Sequence, residues 1–150
     1  MKRRIFIAIN LPEELKRKIS SAIRQWQWLP ISWLAPENWH ITLIPPVYLE
    51  DGDVDVFVAI LKKSRLGRAF KVNFNKISFA PPGRQARMIW LEGETLPELG
   101  KLKKKLEKLW ASIRGFPPLK DETRELKLHV TLARFEPGAL IELQQKTNIL

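Results

Sequence analysis

A four-residue pattern, His-x-Thr-Leu with x apolar, occurs twice in this chain and contains both of its histidines. The copies are "HITL" at 40–43 and "HVTL" at 129–132. In a β-strand, residues i and i+2 point to the same face, roughly 6.5–7 Å apart. Each copy therefore predicts a strand with a histidine and a threonine on one face and two apolar residues on the other. The polar face must meet a cleft or be satisfied by hydrogen bonds.

The sequence around the two copies predicts an α+β fold with the element order β-α-β-α-β-β-α-β. The predicted strands cover residues 4–10, 39–44, 69–80, 87–93 and 125–135. The predicted helices run over about 12–26, from Asp53 to Gly67, and over about 97–114, and a short tail follows the last strand. Each copy of the pattern ends a strand-helix-strand-like half, which suggests an internal duplication.

Local signals mark the ends of these elements. Asn10 with Glu13, and Thr95 with Glu98, form two predicted capping boxes at helix starts. A proline pair at 45–46 is expected to end the second strand. In the segment 69–80 the apolar alternation changes parity, which predicts a β-bulge near Asn75.

The six tryptophans are mostly expected to be structural. Trp39 precedes His40 and should point away from the histidine face and pack. Core positions are also favoured, from apolar stripes and strands, for Trp26, Trp90 and Trp110.

Composition narrows the functional classes. Lys and Arg number 26 against 16 Asp and Glu, a net charge of +10, which attracts polyanions such as nucleic acid but also serves solubility alone. The absence of cysteine excludes disulfides, a thiolate nucleophile and a Cys-based zinc site. The chain has no apolar run of the roughly 18 residues that a membrane span needs, and its N-terminus lacks a cleavage site. We therefore expect a soluble, cytoplasmic protein.

Two imidazoles and two hydroxyls in one cleft suit acid–base cleavage of a phosphodiester. One neutral imidazole accepts a proton from the attacking group, and one imidazolium donates a proton to the leaving oxygen. The hydroxyls of Thr42 and Thr131 can donate to the non-bridging oxygens. A single strand histidine is usually structural, but here both histidines of the chain share the pattern. The chemistry needs no metal, and no HExxH or similar spacing is present, so we expect neither metal nor cofactor.

The chain resembles the two-histidine (2H) phosphoesterase superfamily, and within it the RNA 2′,3′-cyclic phosphodiesterases, also called 2′-5′ RNA ligases. The resemblance is carried by four segments between residues 3 and 135: "RRIFIAINLPEELKRKI", "WLAPENWHITLI", "RMIWLEG" and "LHVTLARF". It implies one 2H phosphoesterase domain over residues 1–150, with two lobes related by a pseudo-twofold axis. Two antiparallel sheets would flank a central cleft, with helices on the outside.

The resemblance also implies an activity and its residues. It implies metal-independent hydrolysis of an RNA terminal 2′,3′-cyclic phosphate to a 2′-phosphate, with reversible 2′-5′ ligation as a related activity. We expect the protein to be a monomer. By position, His40 and His129 become the acid–base pair, and Thr42 and Thr131 the phosphate-binding hydroxyls. The family's second motif often extends to an arginine, here Arg134, although simple alternation puts Arg134 on the face opposite His129.

Some features depart from the family or stay open. "IPPVYLEDGD" replaces the usual aromatic-Leu-Gly turn, Leu128 replaces a frequent proline, and few residues follow Phe135, so one lobe is expected to be trimmed. Arg84 and Arg87, in the turn "PPGRQAR", are either substrate contacts or ordinary surface. Two other functions remain possible from the residues: a non-catalytic RNA-binding protein, and a diesterase for small cyclic nucleotides.

Overall fold

The chain divides into two compact units in a computed structural model, which describes residues 1–120 and 125–149. Unit 1 comprises Met1–Ala8, Thr42–Val72 and Thr95–Leu126. Unit 2 comprises Ile9–Ile41, Asn73–Glu94 and Lys127–Leu150. Each unit therefore gathers three separate stretches of the chain, and the expected single two-lobed domain stays a prediction.

The predicted α+β class with two antiparallel sheets is confirmed. The strands are β1 (Lys2–Asn10), β2 (Ser32–Trp33), β3 (His40–Glu50), β4 (Phe74–Ala80), β5 (Met88–Gly93) and β6 (His129–Arg134). The α-helices are α1 (Glu13–Ile23), α2 (Asp51–Lys63), α3 (Pro97–Ala111) and α4 (Leu140–Lys146). The observed order of strands and helices contains the predicted order and adds to it the short strand β2 and the terminal helix α4. None of the helices in the described ranges has the length and apolar character needed to cross a bilayer.

Unit 1 is built on a sheet of two strands, β1 and β3. The Asp51 N–H, just after β3, donates to the Met1 carbonyl at 3.1 Å, so the end of β3 meets the start of β1, as in an antiparallel pair. The core of the unit is formed by Leu49, Phe57 and Trp110. Phe57 of α2 meets Trp110 of α3 edge-to-face, with ring centroids 5.1 Å apart. This confirms the core position predicted for Trp110.

Unit 2 is built on an antiparallel sheet in the order β2-β6-β5-β4. One face of its central strands is fully buried and apolar, and it includes Ile89, Val130 and Leu132, each 0% exposed. The helices of the unit contribute further buried residues, Ile19 and Ile23 from α1 and Leu143 from α4. The opposite face of the central strands is the one that carries the polar side chains discussed below.

The bulge predicted near Asn75 is confirmed. The pairing of β4 with β5 shifts register between Phe74 and Lys76, which leaves Asn75 as the extra residue. The strand itself begins only at Phe74, so the residues 69–73 do not belong to it as predicted.

The prediction that Pro45 and Pro46 end the second strand is wrong, because β3 continues through both to Glu50. A proline keeps an extended φ and removes only the N–H donor. In a two-stranded sheet, ladder hydrogen bonds are required on one side of each strand only, so prolines are tolerated as they are on sheet edges.

Both predicted capping boxes are wrong. The N-cap residues are Pro12 for α1 and Leu96 for α3, and neither makes a side-chain capping hydrogen bond. At α3 the cause is Pro97, which occupies the first helical position and forces Leu96 into an extended conformation, φ −101° and ψ 142°. Thr95 therefore lies one residue too early to act as the cap.

Helix lengths also differ from prediction. α1 ends at Ile23, and Trp26 closes a following 3-10 turn over Arg24–Trp26, where it is buried as expected. α2 begins at Asp51, with Asp53 in its first turn, and ends at Lys63 rather than at Gly67. The helix dipole is stabilised by the negative charges in the first turn of α2 and by Lys62 and Lys63 in its last turn.

Gly93, the last residue of β5, permits a close approach of backbones in unit 2. Its N–H donates to the Leu128 carbonyl at 3.2 Å, just before His129. A Cβ at this position would lie 1.9 Å from the Asn73 carbonyl oxygen and 2.9 Å from Leu128 Cδ2. Only glycine fits without moving the backbone at Asn73, which leads into β4.

We predict opposite effects for two glycine substitutions. Gly93→Ala should lower the free energy of unfolding by roughly 1–3 kcal/mol, because the backbone contact must open. Gly100→Ala, in the interior of α3 where a Cβ meets nothing within 4 Å, should raise it by about 1 kcal/mol through helix propensity. Urea unfolding followed by circular dichroism measures both. If Gly93→Ala leaves the free energy of unfolding unchanged, the close approach of the backbones is not required for stability.

Candidate active site

The two His-x-Thr segments are strands with the predicted division of faces. His40 begins β3 and His129 begins β6. The apolar residues between and after them are buried, with Ile41 at 2% and Val130 at 0% exposure. The histidines and threonines are half-buried, and accessibility alternates through the four residues of each motif, 40–43 and 129–132. Trp39, immediately before His40, is 2% exposed, which confirms that it packs away from the histidine.

Both imidazoles are held in the same way by the backbone. His40 Nδ1 lies 2.7 Å from the carbonyl oxygen of Asn38, and His129 Nδ1 lies 2.9 Å from that of Lys127. A carbonyl oxygen only accepts hydrogen bonds, so each Nδ1 carries the proton and donates it. In the neutral form, each Nε2 is then the basic nitrogen. The repeated i to i−2 contact orients both rings for proton transfer at Nε2.

The pairing of β5 with β6 places two side chains beside the second motif. Glu92 pairs with His129, and Trp90 pairs with Thr131. Directly paired residues in an antiparallel ladder project to the same face. Glu92 and Trp90 therefore stand on the face of the sheet that carries His129 and Thr131.

Arg134 also lies on this face, contrary to the prediction from simple alternation. Between Ile89 and Trp90 the β6 partner changes from Ala133 to Thr131, so Leu132 is an extra residue in the ladder. Leu132 and Ala133 are both 0% exposed, as expected when a bulge points two successive residues to the core.

This bulge restores Arg134 to the histidine face. Arg134 pairs with Met88, two residues before Trp90, and its Nη1 lies 3.9 Å from the Met88 sulfur. The strand bend that a phosphate-binding role for Arg134 would require is thus present, and the role itself stays a prediction.

Trp90 is not the simple core residue that the sequence predicted. It is half-buried, and its indole stacks on the His129 imidazole with centroids 4.0 Å apart and planes inclined by 26°. Sequence reasoning missed this contact because it depends on which strand pairs with which and in what register. The only sequence signal was that Met88, Trp90 and Glu92 share one side of a strand.

Burial and neighbouring charges both affect the pKa of His129, and the charges do not all act in the same direction. Burial is the largest effect and lowers the pKa of His129 below its ordinary value. The Lys127 carbonyl and the Glu92 carboxylate raise this pKa, whereas the charges of His40 and Lys127 lower it. The two imidazoles are therefore close enough that a proton on His40 disfavours a proton on His129.

The predicted site residues are distributed unevenly between the two units. His40, His129, Thr131 and Arg134 all belong to unit 2, whereas Thr42 is the first residue of the second stretch of unit 1. Thr42 remains tied to His40 through β3, two residues along the same face.

Arg84 and Arg87 lie between β4 and β5 and are exposed. The backbone of Arg87 links neighbouring strands, since its N–H donates to Ala80 and its carbonyl accepts from Phe135. A substrate contact by either side chain stays a prediction. In the ranges 1–120 and 125–149, no three His, Asp or Glu side chains cluster as a metal-ligand set.

The hydrogen bonds of the two rings predict their tautomers. In nitrogen-15 NMR spectra of the imidazoles at about pH 8, both neutral rings should carry the proton on Nδ1, since the Asn38 and Lys127 carbonyls accept from that atom. On lowering the pH, His129 should titrate below the ordinary value of about 6.5. Protonation of either neutral ring on Nε2 would contradict the orientation described above.

Comparisons with known proteins agree with this architecture. A curated RNA 2′,3′-cyclic phosphodiesterase of Methanocaldococcus jannaschii is 27% identical over 131 residues, which cover 87% of this chain and 70% of that protein. The crystal structure of the Thermus thermophilus protein TT0787 superposes with a TM-score of 0.71 at 20% identity, covering 89% of this chain and 74% of that one.

The structure of E. coli LigT complexed with 3′-AMP superposes with a TM-score of 0.68 at 22% identity and the same coverage, 89% and 74%. The family model described as LigT-like phosphoesterase matches residues 9–90, more than half of the sequence and including the first His-x-Thr motif. The chain therefore belongs to the LigT-like phosphoesterase family, within the 2H phosphoesterase superfamily.

Proposed function

We propose that this protein is a metal-independent RNA 2′,3′-cyclic phosphodiesterase, which hydrolyses a terminal 2′,3′-cyclic phosphate to a 2′-phosphate. The observation that carries the proposal is the pair of imidazoles, His40 and His129. Each donates from Nδ1 to the carbonyl two residues earlier, and the charge of His40 disfavours a proton on His129. The name of the M. jannaschii relative supports the choice of substrate.

The reaction needs one base and one acid. One Nε2 accepts a proton from water as its oxygen attacks phosphorus, and the bond from phosphorus to the 3′-oxygen breaks. The other ring, protonated, donates its proton to the departing 3′-oxygen. Because a proton on His40 disfavours one on His129, a state with one neutral and one charged imidazole is favoured over the doubly charged state. The same pair acting in the same sense, with an RNA 5′-hydroxyl replacing water as the attacking group and the 3′-oxygen again leaving, would give a 2′-5′ linkage.

The hydroxyls of Thr42 and Thr131 are proposed to donate to the non-bridging phosphate oxygens, where negative charge is concentrated in the transition state. Arg134 is proposed to hold a phosphate oxygen from the same sheet face as Thr131. The net charge of +10 favours an RNA chain over a small uncharged substrate.

A product-resolved assay tests the proposal. A short oligoribonucleotide ending in a 2′,3′-cyclic phosphate, incubated with the protein and EDTA, should give a 2′-phosphate end. His40→Ala and His129→Ala should each lower kcat by about 10²–10⁴-fold, because each removes a proton-transfer group. Circular dichroism checks that both variants remain folded.

The outcomes also separate the two alternative functions. Salt-sensitive RNA binding that survives both histidine substitutions, with no product, would indicate a non-catalytic RNA-binding protein. Strong competition by cyclic mononucleotides against the oligonucleotide would indicate a diesterase for small cyclic nucleotides. The complex of E. coli LigT with 3′-AMP makes mononucleotides the appropriate competitors.

The three arginines should differ in their effect on activity. Arg134→Ala should lower kcat/KM roughly 10- to 100-fold, as expected for loss of a hydrogen bond to a charged group, and Arg134→Lys should recover part of it. Arg84→Ala and Arg87→Ala, whose exposed side chains lie between β4 and β5, serve as matched controls of equal charge change. They should mainly raise KM, and most at low salt, where the attraction of RNA is least screened. A larger kcat/KM loss in either control than in Arg134→Ala would reverse this assignment.

A further inference from the structure

The side chains that β5 presents to His129 form a small, ordered group. Trp90 lies on one side of the imidazole, stacked at 4.0 Å between ring centroids. Glu92 is the direct cross-strand partner of His129. Neither residue belongs to the His-x-Thr motifs, and neither is needed to explain the burial of the apolar sheet face.

Glu92 is itself held in place by its own strand neighbours. The hydroxyl of Ser78 on β4 donates to Glu92 Oε2 at 2.5 Å, and Ser78 is only 5% exposed. Lys127 Nζ lies 4.0 Å from the other carboxylate oxygen, Oε1. The Glu92 side chain is 15% exposed, so its charge is poorly screened by water. A fixed negative charge thus stands beside His129 at a distance set by the β5–β6 ladder.

We infer that Trp90 and Glu92 are positioning residues for His129, with Trp90 fixing the plane of the ring and excluding water from it, and Glu92 stabilising its protonated form. Stacking restricts rotation about the Cβ–ring bond, and the Nδ1 contact to the Lys127 carbonyl fixes which edge faces outward. Together these contacts leave the ring with one orientation, in which Nε2 performs the chemistry. The catalytic part of this inference rests on the proposed phosphodiesterase function; the effect on the ring does not.

The two side chains act on the ring in opposite senses. Burial, to which the stacked indole contributes, favours the neutral ring, whereas the Glu92 carboxylate favours the charged one. The other charged groups that act on His129 are Lys127, on the approach to β6, and His40 of β3, and both favour the neutral ring. Glu92 is therefore the one side-chain charge among these that supports an imidazolium at this position.

Substitutions on β5 test the inference through the NMR titration of His129. Trp90→Ala should shift the His129 titration to higher pH, because water reaches the ring. Glu92→Gln should shift it to lower pH, because the attraction is removed while an amide oxygen still accepts from Ser78. Trp90→Phe keeps an aromatic face and should stay near the wild type.

Two substitutions elsewhere in unit 2 serve as controls, one for the loss of a carboxylate and one for the loss of an indole. Glu142→Gln removes a carboxylate that pairs with Lys146 within α4, and it should leave the His129 titration unchanged. Trp28→Leu removes an exposed indole that lies under Lys146, and it should also leave the titration unchanged. If Trp90→Ala fails to fold, Trp90→Leu compared with Trp90→Phe gives the same contrast.

Activity supplies the second readout. In the cyclic-phosphate assay, Trp90→Ala and Glu92→Gln should lower kcat by about 10- to 100-fold, by analogy with the loss of partners that orient metal-ligating histidines. KM should change little, because these residues act through His129 rather than on the substrate. Titration shifts in opposite directions, together with a loss in kcat, support the inference.

The result that overturns the inference is a His129 titration that does not move, or that moves in the same direction, in both variants. A loss of thermal stability without a titration shift would assign Trp90 and Glu92 to folding alone. If the wild-type protein shows no turnover but the opposite shifts are observed, the proposed function fails while the positioning of His129 stands.

Discussion

The cross-strand ladder between β5 and β6 is the constraint on which the candidate site depends. Its register brings Glu92 opposite His129 and Trp90 opposite Thr131, and its bulge at Leu132 returns Arg134 to the same face. The buried apolar face, with Ile89, Val130 and Leu132 fully inaccessible, fixes that register, because a one-residue slip would turn the polar row into the core. Packing on one face of the sheet thus determines the chemistry on the other.

The two histidines make the same hydrogen bond to the backbone, but their surroundings differ. Each ring donates from Nδ1 to the carbonyl two residues before it, a contact that needs only an extended strand start. His129 is additionally stacked by Trp90 and faced by Glu92, and burial lowers its pKa. A repeated motif therefore need not give two equivalent groups, since the neighbouring strands differ.

The fold predictions from sequence were reliable where one local rule acted alone. Alternation predicted the faces of both His-x-Thr strands and the packing of Trp39, and a change of parity located the bulge at Asn75. The predictions failed where two rules competed. Pro97 displaced the cap from Thr95 to Leu96, and pairing with β1 carried β3 through two prolines that by themselves favour a strand end.

The sequence alone predicted the α+β class, the family resemblance and the candidate acid–base histidines, because these depend on residue types and on a period of two along a strand. It did not determine that Trp90 stacks on His129, that Glu92 stands beside it, or that Arg134 shares its face. Those relations join residues about 40 positions apart, Glu92 with His129 and Met88 with Arg134, through a register that only tertiary packing selects. The bulge at Leu132 belongs to the same register, since it is defined by how β6 pairs with β5.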